Sequence, residues 1–205
     1  MKLNQIMEMP IQGGQLRSQA DSFASMIEPK FTEVEPIADI DNMSVKKIAA
    51  GNGFHYALFS GSEMVLVAFV KPTDKNMYPV LKSSAQKMAE VDDVWVKKEF
   101  EGKKLYSKFL WFLKSREGYH RLMLGKVQSD DTINFLKAGG LSKFDKTWQN
   151  TATGGVEKFD SSEMDKFYKT QNWRLVLESD STEFDDYNRF NTGRWIQESY
   201  DWQIM

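Results

Sequence analysis

The chain of 205 residues has no cysteine, which excludes disulfides, a catalytic thiol and thiolate metal sites. It has only two histidines, His55 and His120, too few for an imidazole-rich zinc site or a histidine relay, so no metal is expected. No run of 18 apolar residues occurs, and Met1 to Pro10 lacks the continuous apolar core of a secretory signal. The reading therefore expects no membrane association and a cytoplasmic location. No internal repeat and no low-complexity segment breaks the chain.

What is present describes a globular protein: 41% hydrophobic and 27% charged residues, with a formal net charge of -2. That small number hides an asymmetry. Residues 1–150 carry 21 Lys/Arg against 18 Asp/Glu, whereas residues 151–205 carry 6 against 11. The acidic C-terminal quarter also holds ten aromatics, among them Phe167, Trp173, Trp195 and Trp202. With Thr153-Gly154-Gly155 before it, this quarter reads as an extension beyond a domain at 1–150. Aromatic density of this kind suits a protein partner or self-association through residues 156–205.

The stretch from Ala89 to Phe144 organises the rest. It reads as a strand (Val91 to Val96), a Lys-rich turn (Lys97 to Lys104), an amphipathic helix (Leu105 to Arg116), a second strand (Arg121 to Val127) and a second helix (Asp130 to Ala138) stopped by Gly139-Gly140. Such a βαβα unit needs a crossover and hence neighbouring parallel strands. Its first turn opens a helix whose N–H groups and dipole suit a phosphate. Ser129 reads as the second helix's N-cap, and Gly139 or Gly140 as its left-handed C-cap.

Earlier in the chain, apolar positions from Leu16 to Ile27 predict a helix ending before Pro29, and Val45 to Ala50 a short second one. Gly51-Asn52-Gly53 marks a turn. Phe54 to Ser60 and Met64 to Lys71 form a hairpin about Gly61-Ser62. Met77 to Met88 is ambiguous between loop and helical turn. Beyond Gly140, Leu141 to Thr151 and Trp173 to Glu178 read as strands, and Glu163 to Lys169 as helical.

Within the central stretch, Val96, Phe100, Glu101, Gly102, Lys103, Lys104, Leu105 and Tyr106, followed by Phe109, Leu110 and Leu113, resemble motif A of the GNAT superfamily of acyl-CoA-dependent N-acyltransferases. Ser129, Thr132, Ile133, Phe135, Leu136, Gly140 and Leu141 resemble its motif B. The departures are specific: Glu101 stands for Arg/Gln, Lys104 for the first motif glycine, Tyr106 for Gly/Ala, Ser129 for Asn, and Leu136 where many members have an acid tyrosine.

The resemblance implies an α/β fold: a GNAT-like mixed central sheet with antiparallel N-terminal strands and a βαβα half, plus the aromatic-rich acidic extension. It also implies acetyl-CoA or another acyl-CoA as donor and an amine as acceptor. Val94, Trp95, Val96, Glu101, Gly102, Lys103, Lys104, Leu105 and Tyr106 would bind the donor. Similar degenerate proteins occur in tailed-phage genomes, some virion-associated and some akin to the Mom DNA-modification group, which extends the expectation to a phage-encoded protein.

Glu90, Asp92 and Asp93 at the head of the central strand are candidate bases, Glu90 and Asp92 foremost, because a carboxylate can take a proton from an amine. Tyr106 is the candidate acid, with Tyr119 as a second. The lysines Lys97, Lys98, Lys103, Lys104 and Lys108 suit a phosphate or a nucleic-acid backbone, although no helix-turn-helix, zinc-finger or RNA-recognition motif accompanies them. Two readings stay open: an N-acyltransferase, and a non-catalytic binding or structural protein on the same fold.

Overall fold

The computed structural model describes residues 13–73, 87–101, 103–125, 130–142, 144–167 and 172–178. The expectations for 77–86, Gly102, Lys126 and Val127, the Ser129 cap and 179–205 lie outside them. Among the described residues one sheet of nine strands carries the fold, in the order β1-β2-β3-β4-β5-β6-β9-β7-β8. The strands are β1 (Ala38–Ile40), β2 (Met43–Ala50), β3 (Gly53–Ser60), β4 (Glu63–Thr73), β5 (Met88–Val96), β6 (Arg121–Leu124), β7 (Asp145–Asn150), β8 (Val156–Lys158) and β9 (Trp173–Glu178). Helices α1 (Gly13–Ile27), α2 (Leu105–Ser115) and α3 (Asp130–Lys137) complete it, and none is long and apolar enough to cross a membrane.

Strands β1 to β5 form an antiparallel meander, and β6 then runs parallel to β5, with α2 as the crossover. This is the mixed sheet with an antiparallel N-terminal half and a βαβα half that the sequence implies. The two faces bury different cores. Tyr56, Leu66, Val70, Ala89, Val91 and Leu122 pack with Phe109, Leu110 and Leu113 of α2. Ala57, Phe59, Met64 and Val67 pack with Ala24 and Ile27 of α1 and with Phe31. Strand periodicity delivers both sets, since successive side chains point to opposite faces.

Three expectations are corrected. Val45 to Ala50 is strand β2, not a helix. It pairs with β1 on one side and β3 on the other, and Asp41-Asn42, both at positive φ (49° and 62°), turn the chain into it. Two-sided pairing outweighs the weak helix preference of a six-residue run. Strand β4 runs on to Thr73, through Pro72, instead of ending at Lys71. Of Glu163 to Lys169, the described residues, as far as Phe167, form a 3₁₀ turn at Met164–Lys166 rather than an α-helix.

The sheet also continues past Gly155. Thr153-Gly154-Gly155 lies in the β7–β8 hairpin, and β9 inserts between β6 and β7, burying Leu175, Val176 and Leu177 completely. Strands β8 and β9 are therefore part of the main sheet. The boundary placed at 150/151 falls inside a hairpin, because a Gly-Gly pair marks a tight turn as readily as a linker. At the end of α3, Gly139 adopts φ +81° and its successor's N–H bonds back to the Phe135 carbonyl at 2.9 Å, the left-handed cap expected there.

Candidate functional site

Among the described residues the β5–β6 ladder runs from Met88–Arg121 to Val91–Leu124, and the Gly125 N–H extends it to the Val91 carbonyl at 2.8 Å. Past that point, among the described residues, β5 pairs with β4 alone as far as Val96. The sheet thus opens at the carboxyl ends of its parallel pair, where α/β folds hold ligands. A bulge sits at the mouth of the opening. Phe69 opposes Asp92 and Val67 opposes Trp95, so Asp93 and Val94 together face Ala68. Asp93 takes φ +47° to accommodate the extra residue.

The chain leaves β5 through a 3₁₀ turn at Lys98–Phe100 and enters α2 at Lys104, whose φ of +57° is left-handed. A lysine held there costs on the order of 1 kcal/mol. The motif's glycine position thus retains a backbone conformation natural to glycine although the residue is lysine. No side chain caps the helix, and its first internal bond runs from the Lys108 N–H to the Lys104 carbonyl at 3.0 Å. The N–H groups of Leu105, Tyr106 and Ser107 precede that bond and are the ones a helix leaves for an anion.

Asp92 lies at the opening, half-buried. Desolvation, with the Glu90 and Asp93 carboxylates adding, raises its pKa to about 6, against the pull of Arg174 and Lys71. Desolvation likewise raises Asp93. Glu90, two residues before Asp92 on the same face, is only 6% exposed, and its Oε1 lies 3.5 Å from Nε of Arg174. The Tyr106 phenol is pushed up by burial and by the charge of Asp92, which places it within electrostatic reach of that carboxylate.

Strand register puts Glu90 and Asp92 on one face of β5, Tyr106 of α2 lies within electrostatic reach of Asp92, and Lys104 and Leu105 stand at the helix entry. Val94 and Val96 pack toward the α2 face. Trp95 instead faces α1, where its indole N–H donates to Asp21 at 2.7 Å. Glu101 is ion-paired with Arg17 of α1, and Lys103 lies 4.3 Å over the Phe100 ring. Of the clustered lysines, Lys97 pairs with Glu63 and Lys108 with Asp41.

Tyr119 is buried just before β6, at the opposite end of that strand from Gly125, and does not join the site. His55 is held on β3 between the Phe23 and Phe69 rings, with Phe69 separating it from Asp92. Among the described residues no group of three or more His, Asp or Glu gathers to hold a metal.

Sequence reasoning missed Gly125 and Arg174. An added Cβ at Gly125 would meet the Asp92 carboxylate at 1.8 Å, and an isolated glycine inside a strand pattern is the usual mark of such an approach. Arg174 was marked by being the one cation in Trp-Arg-Leu-Val-Leu-Glu, but its neighbours depend on β9 docking next to β6.

No family model matches the sequence, and no curated protein does. Among solved structures the chain is similar to an N-acetyltransferase of Bacillus subtilis in complex with coenzyme A, at 11% identity, covering 60% of this chain and 66% of that one with a TM-score of 0.39. It is similar to a GNAT family acetyltransferase from Elizabethkingia anophelis with acetyl-CoA bound, at 14% identity, 69% and 99% coverage and a TM-score of 0.40. It is also similar to an aminoglycoside N(6′)acetyltransferase from Legionella pneumophila, at 9% identity, 84% and 91% coverage and a TM-score of 0.40.

Proposed function

We propose that the protein is an acyl-CoA-dependent N-acyltransferase acting on an amine. The observation that carries this reading is a half-buried carboxylate with raised pKa, Asp92, within electrostatic reach of Tyr106 in the first turn of an uncapped helix. An acyl-CoA would supply the thioester: the amine nitrogen bonds its carbonyl carbon, the C–S bond breaks, and the thiolate leaves. The N–H groups of Leu105, Tyr106 and Ser107 receive the pyrophosphate, with the Lys104 ammonium as a neighbouring point charge. Val94 and Val96 line the strand along which the donor lies.

Asp92 takes the amine proton, directly or through a water. An ammonium has a pKa near ~10, so a carboxylate raised to about 6 is a better-matched base than one at its ordinary value. Tyr106 gives the leaving thiolate its proton. Burial and the Asp92 charge push the phenol pKa up, so it carries its proton until that step.

Calorimetry with acetyl-CoA tests this. A dissociation constant on the order of micromolar is expected, weakened about tenfold by Lys104→Glu, or about 1.4 kcal/mol. A second reading, a non-catalytic binding protein on this fold, is favoured by the side chains of Lys104 and Tyr106 standing where the resembled motif has glycine or alanine. An absence of heat at millimolar acetyl-CoA would leave that reading and remove the first.

A further inference from the structure

Two carboxylates and one arginine share a single face of the sheet, arranged by strand register. Across the opening row, Phe69 of β4 is opposite Asp92 of β5. Gly125 follows the last β6 residue, and Arg174 precedes the Leu124–Leu175 pair of β6 and β9. In the adjacent row Lys71 of β4 is opposite Glu90, which is opposite Met123, which is opposite Val176. Asp92 and Arg174 therefore flank a position with no side chain. Glu90 lies diagonal to that position, with Oε1 3.5 Å from the arginine Nε.

Among the described residues the charged and titratable groups that act on Asp92 can be named. Strand β4 contributes Lys71, β5 contributes Glu90 and Asp93, β9 contributes Arg174, and α2 contributes the Tyr106 phenol. His55 of β3 is behind the Phe69 ring. From α1, Asp21 is bound to Trp95 and Arg17 to Glu101 and Asp21. Glu90 is the more buried of an ion pair in which the side chains of Arg174 and Glu90 are 17% and 7% exposed. A charge that deep needs its partner, because an uncompensated buried carboxylate takes up a proton instead.

Two neighbouring carboxylates in such a setting titrate as a pair and share one proton unless a cation fixes one of them. We propose that Arg174 is a positioning residue that divides the carboxylates between two jobs, holding Glu90 as a fixed anion and leaving Asp92 to take up and release the proton. Glu90 then keeps Asp92 basic by its negative charge without competing for the amine. Gly125 makes the arrangement feasible, since any side chain there would separate the arginine from both acids. The role given to Asp92 rests on the acyltransfer reading, whereas the division of charge does not.

The test is a titration of the protein without any acyl donor, following the ¹³C-labelled side-chain carboxyls of Asp92 and Glu90 by NMR. Asp92 should titrate near pH 6. Arg174→Gln should raise the Asp92 midpoint by about one pH unit or more, and Arg174→Lys should recover about half of that shift. Glu90→Gln should lower the midpoint, because the repelling charge is gone while the cation remains. This variant decides the matter if Arg174→Gln does not fold.

An Asp92 midpoint unmoved in folded Arg174→Gln, or raised or unmoved in Glu90→Gln, would overturn the proposal, as would Glu90 being the acid that titrates near neutrality. Because no acyl-CoA enters the measurement, a failed acylation assay beside the expected shifts would sink the enzyme reading and spare this one.

Discussion

Gly125 and Asp92 are in such close register across β6 and β5 that a single methyl group on the glycine would lie 1.8 Å from Oδ1 of the aspartate. Gly125→Ala must therefore displace the carboxylate or the strand, and overpacking of this kind costs about 1 to 3 kcal/mol. Thermal melting should show the loss. Adding Asp92→Ala to the same chain should return much of it, since the shortened side chain vacates the space the methyl needs, and a double-mutant cycle reads that coupling. Strictly additive losses would show that the two residues do not compete for one volume.

If Asp92 is the base, catalysis follows its ionisation. Burial and the adjacent carboxylates raise its pKa to about 6, so it is protonated and idle below that value. The acid limb of kcat/KM should fall about tenfold per pH unit below pH 6 and flatten above it. Asp92→Asn should abolish the limb together with most of the activity. A limb that persists in Asp92→Asn would assign the base elsewhere.

Much of this geometry was legible in the sequence wherever it is local. The β5–turn–α2 unit, the hairpin about Gly61 and the cap at Gly139 follow from alternation, helical spacing and glycine. What eluded sequence reasoning depends on which strand docks beside which. Val45 to Ala50 became β2 because β1 and β3 were waiting on either side. Arg174 reached Glu90 because β9 inserts beside β6 instead of following β8 outward. Trp95 shared a run with Val94 and Val96, yet the bulge and strand alternation put its ring on the α1 face. Period and turn chemistry are written in neighbouring residues, whereas sheet order is decided by burial across the whole chain.

Lys104 separates backbone from side chain at the helix entry. Its left-handed φ of +57° is free for glycine and strained for lysine. Lys104→Gly should therefore raise stability by up to about 1 kcal/mol, or about 2 to 4 °C in Tm for a chain of this size. It should also weaken acetyl-CoA binding modestly, because the backbone amides stay while the ammonium goes. Lys104→Ala keeps the strain and loses the charge, so it should weaken binding without the gain in Tm. Equal melting temperatures for the glycine and alanine variants would show that the backbone does not hold that conformation in solution.

A second buried cluster, on the far side of α2 from its N-terminus, ties stability to acidic pH. Glu117 follows α2 and its Oε2 accepts from the Lys47 ammonium and from the Tyr56 hydroxyl, each at 2.6 Å. The Lys47 ammonium also lies 4.4 Å over the Phe54 ring. Burial pushes the Glu117 pKa up, but the two hydrogen bonds and the charges of Lys47 and Lys87 outweigh it, and the net shift is downward.

A carboxylate with a folded pKa below its unfolded value of 4.5 contributes stability that is complete above that value and is lost as pH falls through the folded one. Tyr56→Phe removes one donor and leaves the shape, so at pH 7 it should cost about 1 to 2 kcal/mol. As the pH falls through the folded value, native-state Glu117 takes up a proton and the cost should shrink. Chemical denaturation of both proteins over a pH series from 7 downward checks this: a penalty for Tyr56→Phe that stays constant to the acid limit of folding would mean that the hydroxyl contributes by packing alone.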